Sequence, residues 1–380
     1  MKLSSFLKKE PMLPRHRKFR HVLGGMLVFF CLLNGLTAFA ETGIRSLDTP
    51  AIPVKAPGCV TMDAITRVGH RLVAVGVHGV IVYSDDNGRS WKQANVPVSV
   101  LLTAVAFGTP SDGWAAGHAG VILNTQDGGV TWHLQLDGNK VNQLISSTAR
   151  QALEHNPNSQ EAQRAVRRAG FFVQDGPVKP FLSILAMNAN DALVFGSYRM
   201  LVKTTDGGKT WADWSLHFND PLSHNLYDAI WVGPKMFVAG EAGNNFISSD
   251  GGQTFLDLTP PSADDTTMFG AVDTGDNGVL VFGVAGRAFI TYNDGLTWQP
   301  VEMNTIQNLT AGRVLASGTI VVTSQDGVLH VSYDHAKTFS SLAETLPMAA
   351  YDLQEADNGD VVVAGSAGLR VVPAQDFSKN

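Results

Sequence analysis

Aspartates recur at one fixed place in this chain of 380 residues, and they are its first candidates for acid–base or metal chemistry. Each follows a Ser or Thr by two residues and precedes a second hydroxyl and an aromatic ring, as in Thr204-x-Asp206-x-Gly208-x-Thr210-Trp211. The set, with one asparagine in place of an acid, is Asp86, Asp127, Asp206, Asp250, Asn293 and Asp334. A carboxylate so placed accepts the N–H groups of a tight turn, and asparagine can do the same. A catalytic acid or metal ligand would not tolerate that change, so the pattern indicates turn chemistry.

Two short apolar runs joined at a tight turn precede each aspartate, which predicts a repeated β-hairpin. The turn positions are Gly76, Gly117, Gly196, Gly240, Gly283, Ser324 and Gly365. Their steps are 41, 79, 44, 43, 41 and 41 residues. A period of about 40–45 residues with several short strands is typical of propeller blades. The sequence therefore predicts an all-β fold, a seven-bladed β-propeller. An open β-solenoid, whose coils are much shorter, is the alternative.

One step exceeds the shortest by 79 − 41 = 38 residues, which places an insertion at residues 137–179, between blades two and three. Apolar residues from Val141 to His155 have helical spacing, and Ser159 can cap a second helix, Gln160–Ala169, that ends at Gly170. We expect a helical hairpin on the face where second-to-third-strand turns and blade-to-blade links converge. A solvated decoration and a partner-binding lid are both open readings of it.

The N-terminal 40 residues have the composition of an export signal. A basic segment, an apolar segment from Val22 to Leu36 and the small-x-small end Ala38-Phe39-Ala40 follow one another, and Met12 is an alternative start. We expect residues 41–380 to form the propeller in the periplasm of a Gram-negative bacterium. Secretion and a retained signal anchor are the alternatives. No membrane span is expected after cleavage, and a monomer is expected.

Without the signal, the chain has 28 − 7 = 21 basic and 34 − 1 = 33 acidic residues, a net charge of −12. That charge argues against nucleic acid and against an anionic membrane surface as partners. Of the two cysteines only Cys59 remains, so no internal disulfide is predicted.

The seventh unit supplies only three strands, whereas the prolines at 50, 53 and 57 indicate an extended segment near the N-terminus. We expect Ile44–Lys55 to pair with Leu369–Val372 as the outermost strand of the last blade. Such pairing would close the ring and cover both sheet edges.

Any binding site should use loops that converge around the channel mouth. The candidates from second-to-third-strand turns are His78, His118, Tyr198, Arg199, Glu241, Asn244, Arg287 and Gln325. Three further acids, Asp63, Asp228 and Asp352, lie near the starts of inner strands, where they could face the channel or hydrogen-bond neighbouring blades. A metal site from His78, His118, His217 and His224 is a weaker alternative, since no tight ligand spacing links them. We expect no metal and no cofactor.

The aspartate turn resembles the Asp-box, or bacterial neuraminidase repeat, of sialidases and other propellers. A sialidase would need an arginine triad, a tyrosine–glutamate nucleophile pair and an acid/base aspartate, and this chain lacks the arginine-bearing N-terminal strand motif. Tyr198 is present, but no glutamate stands beside it in sequence. A sialidase-type glycoside hydrolase, or a carbohydrate- or small-ligand-binding propeller, is the alternative function.

The fuller unit, apolar-x-Ala-Val-Gly-x-x-Gly-x-Ile-x-x-Ser/Thr-x-Asp-x-Gly-x-Thr-Trp, is similar to the photosystem II assembly and stability factor family over residues 60–372, except for the insertion. The resemblance implies an exported, non-catalytic propeller that binds integral membrane subunits during assembly. It favours a scaffold or accessory factor for a membrane or envelope protein complex, and in a non-photosynthetic bacterium one associated with a transporter.

Overall fold

The computed structural model describes residues 45–218, 220, 222–258, 266–275 and 277–379. The expected export signal and Ile44 lie outside these ranges. Within them the chain forms six antiparallel sheets of four strands and one of three. Second strands such as Ala192–Gly196 are buried along their whole length. This burial explains why they read as continuous apolar runs rather than as alternating ones.

The strands follow one another blade by blade. Blades one to three comprise β1 (Met62–Val68), β2 (Arg71–Gly76), β3 (Ile81–Ser84), β4 (Lys92–Gln93), β5 (Leu102–Phe107), β6 (Gly113–Gly117), β7 (Ile122–Thr125), β8 (His133–Leu136), β9 (Phe181–Ala186), β10 (Ala192–Gly196), β11 (Leu201–Thr204) and β12 (Ala212–Asp213). Blades four to seven comprise β13 (Leu226–Val232), β14 (Lys235–Gly240), β15 (Asn245–Ser248), β16 (Leu256–Asp257), β17 (Met268–Gly275), β18 (Gly278–Gly283), β19 (Ala288–Thr291), β20 (Gln299–Pro300), β21 (Leu309–Val314), β22 (Ile320–Ser324), β23 (Leu329–Ser332), β24 (Ser340–Ser341), β25 (Ala350–Glu355), β26 (Val361–Gly365) and β27 (Gly368–Val372).

The seven sheets form a ring. Each inner strand packs against the inner strand of the next blade, and β1 packs against β25, which closes the circle. Among the described residues the apolar core divides into seven clusters, one between each pair of neighbouring blades. The predicted seven-bladed β-propeller is confirmed.

The aspartate turns do structural work. The Asp86 carboxylate accepts the Ser84 hydroxyl at 2.7 Å and the Ser90 N–H at 2.9 Å, while Ser84 Oγ accepts the Gly88 N–H at 2.9 Å. The Ser90 hydroxyl and N–H lower the pKa of Asp86 to about 2. In blade five Asn293 accepts the equivalent Thr297 N–H, so the amide replaces the carboxylate without loss of the turn.

The insertion is a helical hairpin, as predicted: α1 (Gly138–His155) and α2 (Gln160–Asp175) pack against each other. Asp137 caps α1 by accepting the N–H groups of Asn139 and Lys140, and Ser159 caps α2. The expected end of α2 at Gly170 is wrong. The helix continues because Phe172 is buried against the propeller, and it stops at Gly176, whose φ of 78° suits only glycine.

The expected N-terminal strand of the last blade is not formed by the described part of that segment, residues 45–55. This segment instead follows the outer side of blade one, where the Ala51 N–H donates to Val96 O and the Val54 N–H to Gln93 Oε1. Its apolar residues are buried there: Leu47 is 9% exposed and lies in the cluster between blades one and two. In the part of the chain that the structure describes, the last sheet therefore consists of β25, β26 and β27.

Candidate functional site

The turns between second and third strands share one face of the ring, called here the loop face. In every blade the N–H after the second strand donates to the carbonyl just before the inner strand. The acceptors, from blade one to blade seven, are Thr61, Leu101, Pro180, Asn225, Thr267, Asn308 and Ala349. Each turn is thus tied to the blade entry beside it, and the hairpin meets the same face because the Gly120 N–H donates to Lys179 O.

All eight candidates from these turns lie on the loop face, but they are spread around the ring rather than gathered. His78, His118, Tyr198, Arg287 and Gln325 are exposed, while Glu241 and Asn244 are partly buried. Glu241 accepts the Asn225 N–H and Asn244 donates to Glu241 O, so both order the loops of blade four. Although His118 is exposed overall, partial desolvation of its imidazole lowers the pKa of that group.

The turn of blade three departs from the others. In four other blades a residue with positive φ is followed by glycine, at Gly79, Gly120, Gly243 and Gly286. In blade three Tyr198 has a φ of 53° and the glycine place is taken by Arg199, whose φ is 58°. Two consecutive non-glycine residues in the left-handed region cost free energy, and such strain is found most often at functional sites.

Arg199, one of the predicted binding residues, is buried in this turn. It is 4% exposed, its backbone N–H donates to His224 O, and its Nη1 donates to the carbonyl oxygens of Phe218 and Asp220. Burial lowers the pKa of its guanidinium. These bonds hold the loop between blades three and four and offset the free-energy cost of the strained backbone. Tyr198 is the exposed residue of this turn.

Tyr198 stands where the hairpin meets blade three. Tyr198 is 51% exposed, and its ring makes an edge contact with Phe172 of α2, with ring centroids 6.3 Å apart. Lys179 Nζ lies 4.6 Å from the centroid of the Tyr198 ring, a cation–π distance. Two large apolar side chains stand exposed on the adjoining segments, Phe171 (63%) beside Phe172 and Leu222 (77%) in the loop bonded to Arg199. We call Phe171, Lys179, Tyr198 and Leu222 the hairpin ledge.

A second buried arginine fixes the hairpin. Arg168 of α2 is 8% exposed, and its Nη2 donates to Ser215 Oγ at 2.5 Å. Burial, followed by the positive charge of Arg199, lowers the pKa of Arg168 to about 10. The hairpin is therefore joined to the propeller through polar and apolar contacts, since α1 and α2 also share a core cluster with blades two and three.

The three acids near inner-strand starts do share one place. Asp63, Asp228 and Asp352 line a central cavity of about 300 Å³. All seven inner strands contribute residues to its lining. Asp352 accepts the Ile65 N–H of blade one at 2.9 Å, and Asp228 accepts the Ala271 N–H of blade five at 3.2 Å. These two carboxylates therefore link blade to blade, which is one of the two roles the sequence left open.

The cavity is acidic, and sequence reasoning missed a cation among its described lining residues. Arg313 Nη2 lies 3.4 Å from Asp352 Oδ1. Burial raises the pKa of both Asp228 and Asp352 despite that guanidinium. Burial and the charge of Asp352 raise the pKa of Asp63 to about 6.

The four histidines considered for a metal site do not come together as a ligand set. His217 stacks on Trp214, with ring centroids 4.0 Å apart, and its Nδ1 lies 2.7 Å from Gln253 O, whereas His224 Nδ1 lies 2.9 Å from Asp220. Within the described ranges, no three His, Cys, Asp or Glu side chains are grouped to hold a metal ion. No helix in those ranges is long and apolar enough to cross a bilayer.

Repeat comparison could have identified Arg199, because it interrupts a column of glycines at the same turn position. Arg168, Phe172 and Lys179 gave no such signal, since they lie in the insertion, where the repeat offers no reference. Arg313 was equally invisible, because which residues of an inner strand face the channel depends on bulges at the strand starts, such as the one between Leu309 and Ala311.

The chain is similar to known proteins in sequence and in fold. A family model described as photosynthesis system II assembly factor YCF48 matches residues 89–148 and 177–369, leaving out most of the hairpin. The photosystem II assembly protein Ycf48 of Thermosynechococcus vestitus is 42% identical over 67 residues, which cover 17% of this chain and 19% of that protein. Ycf48 of Synechococcus sp. (strain JA-2-3B'a(2-13)) is 27% identical over 186 residues, which cover 45% of this chain and 51% of that protein. The chain thus spans about half the length, or less, of these curated relatives.

A solved structure of YCF48 bound to D1 peptide superposes with a TM-score of 0.61 at 15% identity. The superposition covers 86% of this chain and 99% of the YCF48 chain. At that identity the likeness concerns the fold.

Proposed function

Because this chain belongs to the photosynthesis system II assembly factor YCF48 family, we propose that it is a non-catalytic, exported scaffold that assists assembly of a membrane or envelope protein complex. The family supplies the class of function. Support for export comes from the sequence of residues 1–40. In a non-photosynthetic bacterium the complex would be a transporter rather than a photosystem.

The observation that carries the proposal is the hairpin ledge. Tyr198 is an exposed aromatic held in a strained backbone conformation by a buried arginine, and Phe171 and Leu222 expose large apolar surfaces on adjoining segments. Exposed aromatic residues on a rigid support are typical anchors of protein–protein interfaces. YCF48 has been solved bound to D1 peptide, which is consistent with recognition of a protein segment by this fold.

The experiment compares Tyr198→Ala with His78→Ala in quantitative cross-linking of the purified protein to membranes of its host. His78 is a matched control, since it is exposed and occupies the same turn position in blade one with a φ of 56°. We expect Tyr198→Ala to lose one dominant cross-linked membrane protein and His78→Ala to retain it. Equal retention by both variants, or no membrane partner for the unsubstituted protein, would contradict the proposal.

A glycoside hydrolase is the second candidate, favoured by the central cavity alone. Two acids there interact, and one of them, Asp63, has a pKa raised to about 6, as a general acid requires. Turnover of a fluorogenic sialoside or of a glycan in a broad panel, abolished by Asp63→Asn, would support this function over the scaffold.

A further inference from the structure

Among the described residues, no strand pairs with the outer edge of β27, the third strand of blade seven. In five other blades a residue beyond the aspartate turn donates its N–H to the carbonyl of the first residue of the third strand. These donor–acceptor pairs are Ala94–Ile81, Trp214–Leu201, Leu258–Asn245, Val301–Ala288 and Leu342–Leu329, at 2.7–2.9 Å. The equivalent carbonyl of blade seven is that of Leu369. Among the described residues, that carbonyl accepts a hydrogen bond from the guanidinium of the adjacent Arg370, at 3.4 Å.

Register defines which backbone groups face outward. Val362 pairs with Val371 and Ala364 with Leu369, as Phe237 pairs with Ile247 and Ala239 with Asn245 in blade four. The N–H and C=O groups of Leu369 and Val371 therefore point away from β26, toward the place that a fourth strand fills in the other blades. Unpaired N–H and C=O groups at a sheet edge are a template for the addition of another strand.

Side-chain exposure marks the same gap. The aliphatic residue at the register position of Val371 is 7% exposed in blade four (Ile247), 3% in blade five (Ile290) and 2% in blade six (Val331). Val371 is 41% exposed. The difference is what removal of a covering strand would produce.

A groove adjoins this edge. It has a volume of about 640 Å³ and lies between the outer part of blade six and the end of β27. Its wall includes Tyr333, Leu342, Leu346, Val372, Asp376 and Lys379. The groove offers apolar surface for a side chain of an added strand and polar groups at its rim.

From these contacts we infer that the β27 edge binds an extended segment of a partner protein, which adds as the fourth strand of blade seven with an acidic residue opposite Arg370. The occupant is a protein segment because backbone pairing, not a charged or catalytic pocket, is what the edge offers. This site is on the rim of the ring, so the inference goes beyond the function proposed for the loop face.

Charge decides against a second copy of this chain as the occupant. Two β27 edges paired antiparallel, with Leu369 opposite Val371, would place Arg370 opposite Arg370. Like charges directly opposite each other destabilise a strand pair, whereas opposite charges stabilise it. In blade four the fourth strand pairs Leu256 with Ile247, the register counterpart of Val371, and Asp257 with Phe246, the counterpart of Arg370. A segment with this sequence would therefore place its acid opposite Arg370.

The test uses a synthetic peptide with the sequence of residues 253–258, Gln-Thr-Phe-Leu-Asp-Leu, labelled with fluorescein and titrated with the full-length protein. We expect saturable binding by anisotropy, and at least about fivefold weaker binding when Lys replaces Asp in the peptide. Arg370→Glu should reverse that preference. Hydrogen exchange of the Val371 amide should be fast in the free protein and slow in the complex.

Two variants serve as controls. Val371→Pro removes an outward N–H without touching the bonds to β26, so it should abolish peptide binding while the fold is retained. Tyr198→Ala, on the loop face, should leave peptide binding unchanged, which separates this site from the proposed function. The inference is overturned if no binding occurs up to about 1 mM protein. Equal affinity for the Asp and Lys peptides, or a Val371 amide already protected in the free protein, would overturn it as well.

Discussion

Arg199 shows how one residue exchanges backbone strain for side-chain bonds. It stands at the glycine place of its turn with a φ of 58°, and its guanidinium satisfies the carbonyl oxygens of Phe218 and Asp220. A left-handed conformation costs an ordinary residue about 1–2 kcal/mol. A buried hydrogen bond to a charged group contributes about 1.5–3 kcal/mol. The bonds therefore exceed the strain, and the unusual turn is stable.

Replacement of Arg199 should separate these two effects. Arg199→Ala keeps the strain and leaves two buried carbonyl oxygens without their donor, so we expect a loss of about 2–4 kcal/mol in the free energy of unfolding. Arg199→Gly relieves the strain and should be less destabilising than Ala by about 1 kcal/mol. Urea unfolding followed by tryptophan fluorescence measures both.

The exposed Arg150 is the control, and Arg150→Ala should change stability by less than about 0.5 kcal/mol. A glycine variant no more stable than the alanine variant would show that the backbone at residue 199 is not strained.

The carboxyl of Asp63 predicts a pH dependence of stability. Its pKa is raised from 3.8 to about 6 in the folded protein, so folding takes up a proton between these values. The stabilisation is complete below about pH 4 and is lost as the pH rises through 6, by up to about 3 kcal/mol at 1.36 kcal/mol for each pH unit. The charged groups that share its cavity are Asp228, Arg313 and Asp352.

Asp63→Asn removes this titration. The difference in unfolding free energy between the variant and the unsubstituted protein should therefore grow in favour of the variant from pH 4 to pH 7. Chemical denaturation at a series of pH values measures it. A difference that is constant over this interval would mean that Asp63 titrates normally.

At the scale of elements, the helical hairpin shows what local sequence can and cannot specify. Both helices and both N-caps were predictable because capping is a local interaction of Asp137 and Ser159 with the next turn. The end of α2 was not, since Gly170 is compatible with a helix and the decisive contact is that of Phe172 with the propeller.

Gly170, within α2, and Gly176, directly after it, should respond to substitution with opposite signs. Gly170 is a helical residue with open space around a Cβ, so Gly170→Ala should stabilise the protein by about 0.5–1 kcal/mol. Gly176 also has open space, but its φ of 78° and ψ of −166° are nearly restricted to glycine. Gly176→Ala should destabilise by about 1–3 kcal/mol. Thermal unfolding measures both, and an equal shift in the two variants would refute the assigned helix end.

The repeat made the blades predictable because each strand and turn occurs several times in the sequence. A position that is ambiguous in one copy can therefore be assigned from the others. The aspartate turns followed from local hydrogen bonding, and their role held where Asn293 replaces the acid. The N-terminal segment occurs once, and its placement was wrong for that reason. Extended composition predicts a strand-like path but does not say which sheet edge will receive it, and burial of Leu47 beside blade one decided the matter.

At the scale of the whole molecule, the ring closes without a shared sheet. Blades one and seven come from opposite ends of the described chain, and they meet through packing of β1 against β25 and through the Asp352 bond to the Ile65 N–H. The same bond joins blades four and five, where Asp228 accepts the Ala271 N–H. The two bonds have similar geometry. The contact between blades one and seven, called here the seam, differs because no short stretch of chain connects these two blades.

Removal of the two carboxylates should therefore have unequal effects. Asp352→Ala and Asp228→Ala each leave a buried N–H without an acceptor, at a cost of about 1–3 kcal/mol. At the seam, opening separates blades that the chain does not tether locally, so Asp352→Ala should speed hydrogen exchange mainly in β1 and β25–β27. Asp228→Ala should instead raise exchange modestly, because the short link between blades four and five limits their separation.

The amide-bearing variants Asp352→Asn and Asp228→Asn retain an acceptor oxygen and serve as controls. Hydrogen exchange with mass spectrometry resolves the four variants, and equal effects at the two positions would mean that the seam is no weaker than any other contact between blades.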